Sequence, residues 1–183
     1  MASGNGTNAE GIMRHFVNHP QVMVSLLLSN NPTAYALERA KKFQVPTFVF
    51  TREEFREGEV VLLQLTEHKI THLVLAGFLW LVPAYLINAF PNKIINIHPA
   101  LLPKYGGKGM YGAKVHQAVK SSEDKKTGIT IHLINEHFDE GKILFQAACD
   151  LSPSDTPETI AAKVHTLEHR HFPAVIEQWV AQA

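Results

Sequence analysis

Ile94-Ile95-Asn96-Ile97-His98-Pro99-Ala100-Leu101-Leu102-Pro103 is the stretch on which the fold turns. β-branched isoleucines favour extended backbone, and Pro99 ends the run because it has no N–H to give a ladder. A strand apolar on both sides is covered on both faces, the mark of a parallel sheet between helices. Side chains alternate along a strand, so Asn96 and His98 leave from one side at its C-terminal end. Open α/β sheets bind their ligands beyond that end.

Upstream, residues 22–28, 46–50 and 72–78 read as further apolar strands. Residues 34–43, 52–69 and 81–90 read as the helices between them, Thr51 capping the second. Downstream, residues 99–112 are a loop rich in proline and glycine, and a helix follows to Ser121. Residues 128–134 and 143–148 are strands joined by a segment too short for a crossover helix, which predicts an antiparallel pair. Thr156 and Pro157 open a long last helix with a stripe of Ile160, Val164, Leu167, Val175, Ile176 and Trp179. The expected fold is therefore α/β: doubly wound, mostly parallel, with helices on both faces and a late antiparallel pair. Residues 1–183 form one domain.

Composition narrows the function. The 183 residues are 45% hydrophobic and 19% charged, as in an ordinary globular domain. Lys plus Arg equals Asp plus Glu at 17 each, so no global field points to nucleic acid or to a membrane surface. No apolar run is long enough to span a bilayer, and the first residues do not form a signal peptide. Cys149 has no partner for a disulfide and reads as a buried, inert thiol. The cytoplasm is the expected compartment.

Three motifs carry chemistry. Ser3-Gly4-Asn5-Gly6-Thr7-Asn8 precedes a helical run, so its backbone amides can face an anion; it also reads as a plain turn capped by Thr7 or Asn8. Asn96 can donate to a developing oxyanion and His98 can pass a proton. Asp139, in Phe138-Asp139-Glu140-Gly141, can orient an imidazole or hold a water, and equally reads as a turn residue with Gly141 at positive φ. His165, His169 and His171 read as a solvated or substrate-facing surface of the last helix, and no metal site is expected.

In this order these motifs, with Leu102-Pro103-Lys104-Tyr105 and Glu168-His169, resemble the phosphoribosylglycinamide formyltransferase family over nearly the whole chain. The resemblance implies transfer of formyl from 10-formyltetrahydrofolate to the amine of glycinamide ribonucleotide. Asn96, His98 and Asp139 match the catalytic trio, with His98 protonated and its pKa raised by Asp139. Gly6, Thr7 and Asn8 match the phosphate loop, Glu168 the ribose contact, and Pro99 and Thr130 positions near the reacting centre. Phe78, Leu79, Trp80, Leu81 and Val82 match the pterin segment, Trp80 standing where a polar residue is usual. Residues 134–139, from Ile134 onward, match the folate loop. The implied partners are small molecules only, for a monomer or homodimer.

Three departures accompany the resemblance. The family places an apolar strand ahead of the glycine loop, whereas only Met1 and Ala2 precede Ser3, so a sheet without its first strand is expected. Residues 106–112 are longer and more basic than the corresponding family loop. Glu140 stands where glycine is commoner. The alternative readings are another formyl-group enzyme of the same fold, or a folate or nucleotide binder without turnover.

Overall fold

The computed structural model describes residues 1–122 and 124–182. Its elements alternate as expected: α1 (Thr7–Phe16), β1 (Leu27–Ser29), α2 (Tyr35–Lys42), β2 (Thr47–Val49), α3 (Arg52–Glu57), α4 (Glu59–Glu67), β3 (Leu73–Leu75), α5 (Ala84–Ala89), β4 (Ile94–His98), α6 (Ala113–Ser121), β5 (Lys126–Leu133), β6 (Ile143–Asp150) and α7 (Pro157–Ala181). β1 pairs with β2, and β3 with β4, in parallel; β4–β5 and β5–β6 are antiparallel. The architecture is the expected α/β layering of helices around a sheet with parallel pairs β1–β2 and β3–β4 and the late antiparallel strands β5 and β6.

The apolar residues of successive strand positions divide between two cores, one on each face. Ile95 and Ile97 pack with α1, α2, α6 and α7, whereas Ile94, Leu73 and Leu75 pack with α3, α4 and α5. This division is why the strands read as continuous apolar runs. Helix ends follow local chemistry. Thr51 and Thr156 close capping boxes with Glu54 and Thr159, and Pro157 opens α7. The helix expected over residues 52–69 is two helices, because Gly58 takes a left-handed φ of 90°, which ends α3 and starts α4. Cys149 is half-buried, and burial raises its thiol pKa.

At the N-terminus the sheet lacks a full first strand, as expected. Met1, Ala2 and Ser3 run between β1 and β3 and bond to both sides. Ala2 N–H donates to the Leu28 carbonyl at 3.0 Å, Met1 accepts from Ala76 N–H at 2.9 Å, and Ser3 N–H donates to the Gly77 carbonyl at 3.0 Å. The two hydrogen-bonded sheets, β1–β2 and β3–β6, are thus bridged by these residues rather than by a full strand. Beyond the Met1 amine lies a cavity of about 190 Å³ between residues 21–28 and 69–74, floored by Ile12, Phe16, Ile176 and Val180. The strand expected over residues 22–28 shrinks accordingly to Leu27–Ser29, since residues 22–26 have no ladder on that side.

The Met1 amine donates to the Val74 carbonyl at 2.7 Å, and burial lowers its pKa from 8.0 to about 5. The unfolded chain therefore binds the extra proton between these values, so stability should rise with pH from about 5 to 8. An apolar, strand-forming segment joined through an amide at Met1 would remove this amine and fill the cavity. Thermal melts should show a higher Tm for the extended chain and a flatter Tm against pH. An extension that leaves both unchanged would contradict this account of the N-terminus.

Candidate active site

β4 carries Asn96 and His98 to the mouth of a cleft of about 820 Å³. The antiparallel register sets Asn96 opposite His132 and His98 opposite Thr130. Asn96 Nδ2 lies 3.1 Å from His132 Nε2, while His132 Nδ1 donates to the Leu133 carbonyl at 2.9 Å. With that proton engaged, Nε2 accepts from Asn96, and the carboxamide is held with its second N–H unspent. His132 is fully buried and escaped the sequence reading. Its signal was the one that marked Asn96 and His98: polar residues at spacing two, Thr130 and His132, in an apolar strand.

The Thr130 hydroxyl does not reach the cleft. It donates to the Ala100 carbonyl at 2.7 Å and accepts from Leu102 N–H at 2.9 Å, and Gln146 reaches both Thr130 and the Leu102 carbonyl. Thr130 therefore braces the turn after β4 and keeps Pro99 on the cleft wall.

Asp139 arrives from the β5–β6 loop and joins the pair. Its Oδ2 lies 3.5 Å from His98 Nδ1 and accepts from Gly107 N–H at 3.0 Å; its Oδ1 lies 3.6 Å from His132 Nε2. The loop's conformation differs from the expectation. Asp139 itself takes positive φ, 59°. Gly141 is needed for a different reason: a Cβ there would meet the Leu133 carbonyl oxygen at 1.7 Å.

Burial pushes the Asp139 carboxyl up, but the His98 imidazole and the Gly107 amide oppose it, and its pKa falls below the usual carboxylate range. His98 goes the other way from the expectation. Burial lowers its pKa, and the opposing effects of Asp139 and the Tyr105 carbonyl do not reverse this. The resting imidazole is therefore neutral at pH 7, its Nε2–H donating to the Tyr105 carbonyl at 2.8 Å. Asp139 favours its protonation without achieving it beforehand.

At one end of the cleft, residues 3–8 wrap the start of α1. Gly6 sits at φ 75°, and a Cβ there would meet Ala36 Cβ at 2.5 Å, so only glycine fits. The first helical bond runs from Glu10 N–H to the Gly6 carbonyl, leaving the preceding amides without helical acceptors. Gly6, rather than Thr7 or Asn8, is the N-cap. Asn8 Nδ2 donates to Glu168 Oε2 at 2.9 Å, which joins the glycine loop to α7. Ser3 Oγ accepts from Leu79 N–H at 3.2 Å and ties the same loop to the segment after β3.

Of that segment, Phe78 and Leu79 line the cleft. Trp80, Leu81, Val82 and Ile134 do not: Trp80 packs against Phe50, Phe55 and Phe78, Val82 is buried, Leu81 is exposed, and Ile134 bonds to the Ile94 carbonyl. Residues 107–112 and Phe138 close the remaining wall.

The formyl transferase family matches residues 1–176. The phosphoribosylglycinamide formyltransferase of Bacillus subtilis is 36% identical over 97% of this chain and 91% of its own length. The chloroplastic phosphoribosylglycinamide formyltransferase of Arabidopsis thaliana is 40% identical over 95% of this chain, which spans 62% of that protein. Among solved structures, the phosphoribosylglycinamide formyltransferase of Bacillus halodurans superimposes with a TM-score of 0.86 at 35% identity, covering 97% of this chain and 91% of that one. That of Anaplasma phagocytophilum gives 0.87 at 32% identity, covering 96% and 82%. With its glycine loop, its Asn–His strand end and its aspartate loop assembled on one cleft, the chain belongs to the formyl transferase family.

Proposed function

We propose that this chain transfers the formyl group of 10-formyltetrahydrofolate to the amine of glycinamide ribonucleotide, giving formylglycinamide ribonucleotide and tetrahydrofolate. The reading rests above all on Asp139 standing 3.5 Å from His98 at the end of the strand that carries Asn96. The cleft has the two unlike ends that these substrates need. The α1 N-terminus and Glu168 suit a ribose phosphate, and Phe78, Leu79 and Phe138 suit a flat, apolar ring.

In this reading the amine attacks the formyl carbon, and the carbonyl electrons become an oxyanion. The free N–H of Asn96 donates to it, held in place by His132. The attacking nitrogen becomes cationic and must lose a proton, while the departing folate nitrogen must gain one. Neutral His98 takes that proton, and the Asp139 carboxylate stabilises the imidazolium so formed. The proton then passes to the folate nitrogen as the tetrahedral carbon collapses. Phe78, Leu79, Trp80, Leu81, Val82 and Ile134 belong to the folate side, the first two as cleft wall, Trp80, Val82 and Ile134 as its packing, and Leu81 exposed on its outer surface. The reaction is assigned to the cytoplasm. No helix among the described residues is long and apolar enough to cross a membrane.

A spectrophotometric assay with 10-formyl-5,8-dideazafolate should show turnover that depends on glycinamide ribonucleotide. In Asn96→Ala, kcat should fall by about 10²–10³-fold, the usual effect of losing one oxyanion donor. Binding of both substrates without turnover in the wild type would contradict the proposal.

The His98 titration provides a second check. Followed by NMR, its midpoint should lie below 6.5, since burial opposes the charged form. In Asp139→Asn it should move lower still, because the aspartate charge favours the imidazolium. An upward movement would contradict the pairing.

A further inference from the structure

Residues 105–107 touch both members of the His98–Asp139 pair. The Tyr105 carbonyl accepts from His98 Nε2–H at 2.8 Å, and Gly107 N–H donates to Asp139 Oδ2 at 3.0 Å. Between them Gly106 runs so close that a Cβ there would meet Leu102 Cδ2 at 2.5 Å and Asp139 Cβ at 3.3 Å. A backbone carbonyl can only accept, so it obliges Nε2 to carry the ring proton. The Nδ1 lone pair is then left facing Asp139, 3.5 Å away. The placement of this short segment therefore decides which nitrogen is the base.

The segment does not hold itself. Tyr105 sits at φ 58°, a left-handed conformation that a bulky residue keeps only where its surroundings impose it. Thr130 braces the preceding turn at Leu102. Beyond that point the side chains of Lys104 and Tyr105 converge on one carboxylate. The Tyr105 hydroxyl donates to Asp124 Oδ2 at 2.8 Å, and Lys104 Nζ donates to Oδ1 and Oδ2 at 2.8 and 3.0 Å. Among the described residues, Asp124 is the only side chain that bonds to both. It lies between α6 and β5 and is fixed in turn. Its N–H donates to Ser122 Oγ at 3.2 Å, and that hydroxyl donates to the Val119 carbonyl of α6 at 2.7 Å. With Leu101 and residues 125–127, these three residues line a hollow separate from the cleft.

We propose that Asp124 is a positioning residue for the formyl transfer: from outside the cleft it holds Tyr105, whose carbonyl fixes the Nε2–H tautomer of His98 and so presents Nδ1 as the proton acceptor beside Asp139. The effect on rate rests on the formyl-transfer reading above; the effect on the ring does not.

The two attachments are unequal. Lys104 is 66% exposed, and an exposed ion pair contributes little. Tyr105 is half-buried and packs against the core shared by α1, α2, α6 and α7, so its hydroxyl bond is the one that sets direction. Both keep Asp124 ionised: the hydrogen bond from Lys104, then that from Tyr105, lowers its pKa. The charged groups that act on His98 are Asp139, His132 and Glu168. The influence of Asp124 therefore passes through the Tyr105 backbone and not through its own charge.

Asp124→Ala, Asp124→Asn and the milder Tyr105→Phe test this, read by kcat, by affinity for glycinamide ribonucleotide and by NMR of the His98 ring nitrogens. In the wild type the neutral ring should be the Nε2–H tautomer. In Asp124→Ala and Tyr105→Phe it should become a mixture of both tautomers. Their kcat should fall by about 10–100-fold, the loss expected when a reacting group is displaced, with affinity within about twofold of wild type. Asp124→Asn keeps an acceptor for the Tyr105 hydroxyl and should recover most of that loss. A reduced kcat with the tautomer unchanged in both Asp124→Ala and Tyr105→Phe would overturn the positioning role. So would an undiminished kcat in both, or a wild-type ring protonated on Nδ1. A wild type without turnover, whose tautomer still shifts in the variants, would overturn the formyl-transfer reading and leave the hold on His98 standing.

Discussion

The arrangement depends on one constraint: the antiparallel register between β4 and β5. It sets Asn96 against His132 and His98 against Thr130. A slip of one residue would turn each of these side chains to the opposite face. From that register follow the orientation of the Asn96 amide, the bracing of the turn after His98 by Thr130, and the two imidazoles between which Asp139 settles. Asp139 is held by contacts that outweigh its burial, and its charge opposes the lowering of the His98 pKa by burial, which in the proposed reaction is what brings the imidazolium within reach. The pair is better understood as a latent imidazolium than as a standing one.

Much of this was legible in the chain. The continuous apolar strands announced a sheet covered on both faces, and the short β5–β6 connection announced antiparallel pairing. The Asn96–His98 alternation announced the site, because polar groups at spacing two in an apolar strand must find partners or a ligand. The same rule applied to Thr130 and His132 would have found His132. Asp139 was different: in isolation a turn aspartate, it acquires meaning only when the loop folds back over β4, which no local pattern encodes.

Other features lay beyond local pattern for definable reasons. The direction of the His98 shift depends on how completely the ring is buried, a tertiary quantity. The role of Gly141 depends on how closely the Leu133 carbonyl approaches it. Trp80 belongs to an aromatic cluster with Phe50, Phe55 and Phe78, contributed by three separate segments, so its adjacency to Leu79 did not place it in the cleft. At the N-terminus, composition gave Val22 and Val24 strand character, yet a strand needs a neighbour, and the neighbour there is a cavity.

The central claim is that Asp139 acts in the chemical step through His98 and not in substrate binding. It is tested most directly by kcat of Asp139→Asn at saturating substrates, measured beside its affinity for glycinamide ribonucleotide. The account predicts a fall in kcat of about 10²–10⁴-fold, the range for a proton-transfer group, with affinity unchanged. Undiminished kcat, or a loss confined to affinity, would contradict it.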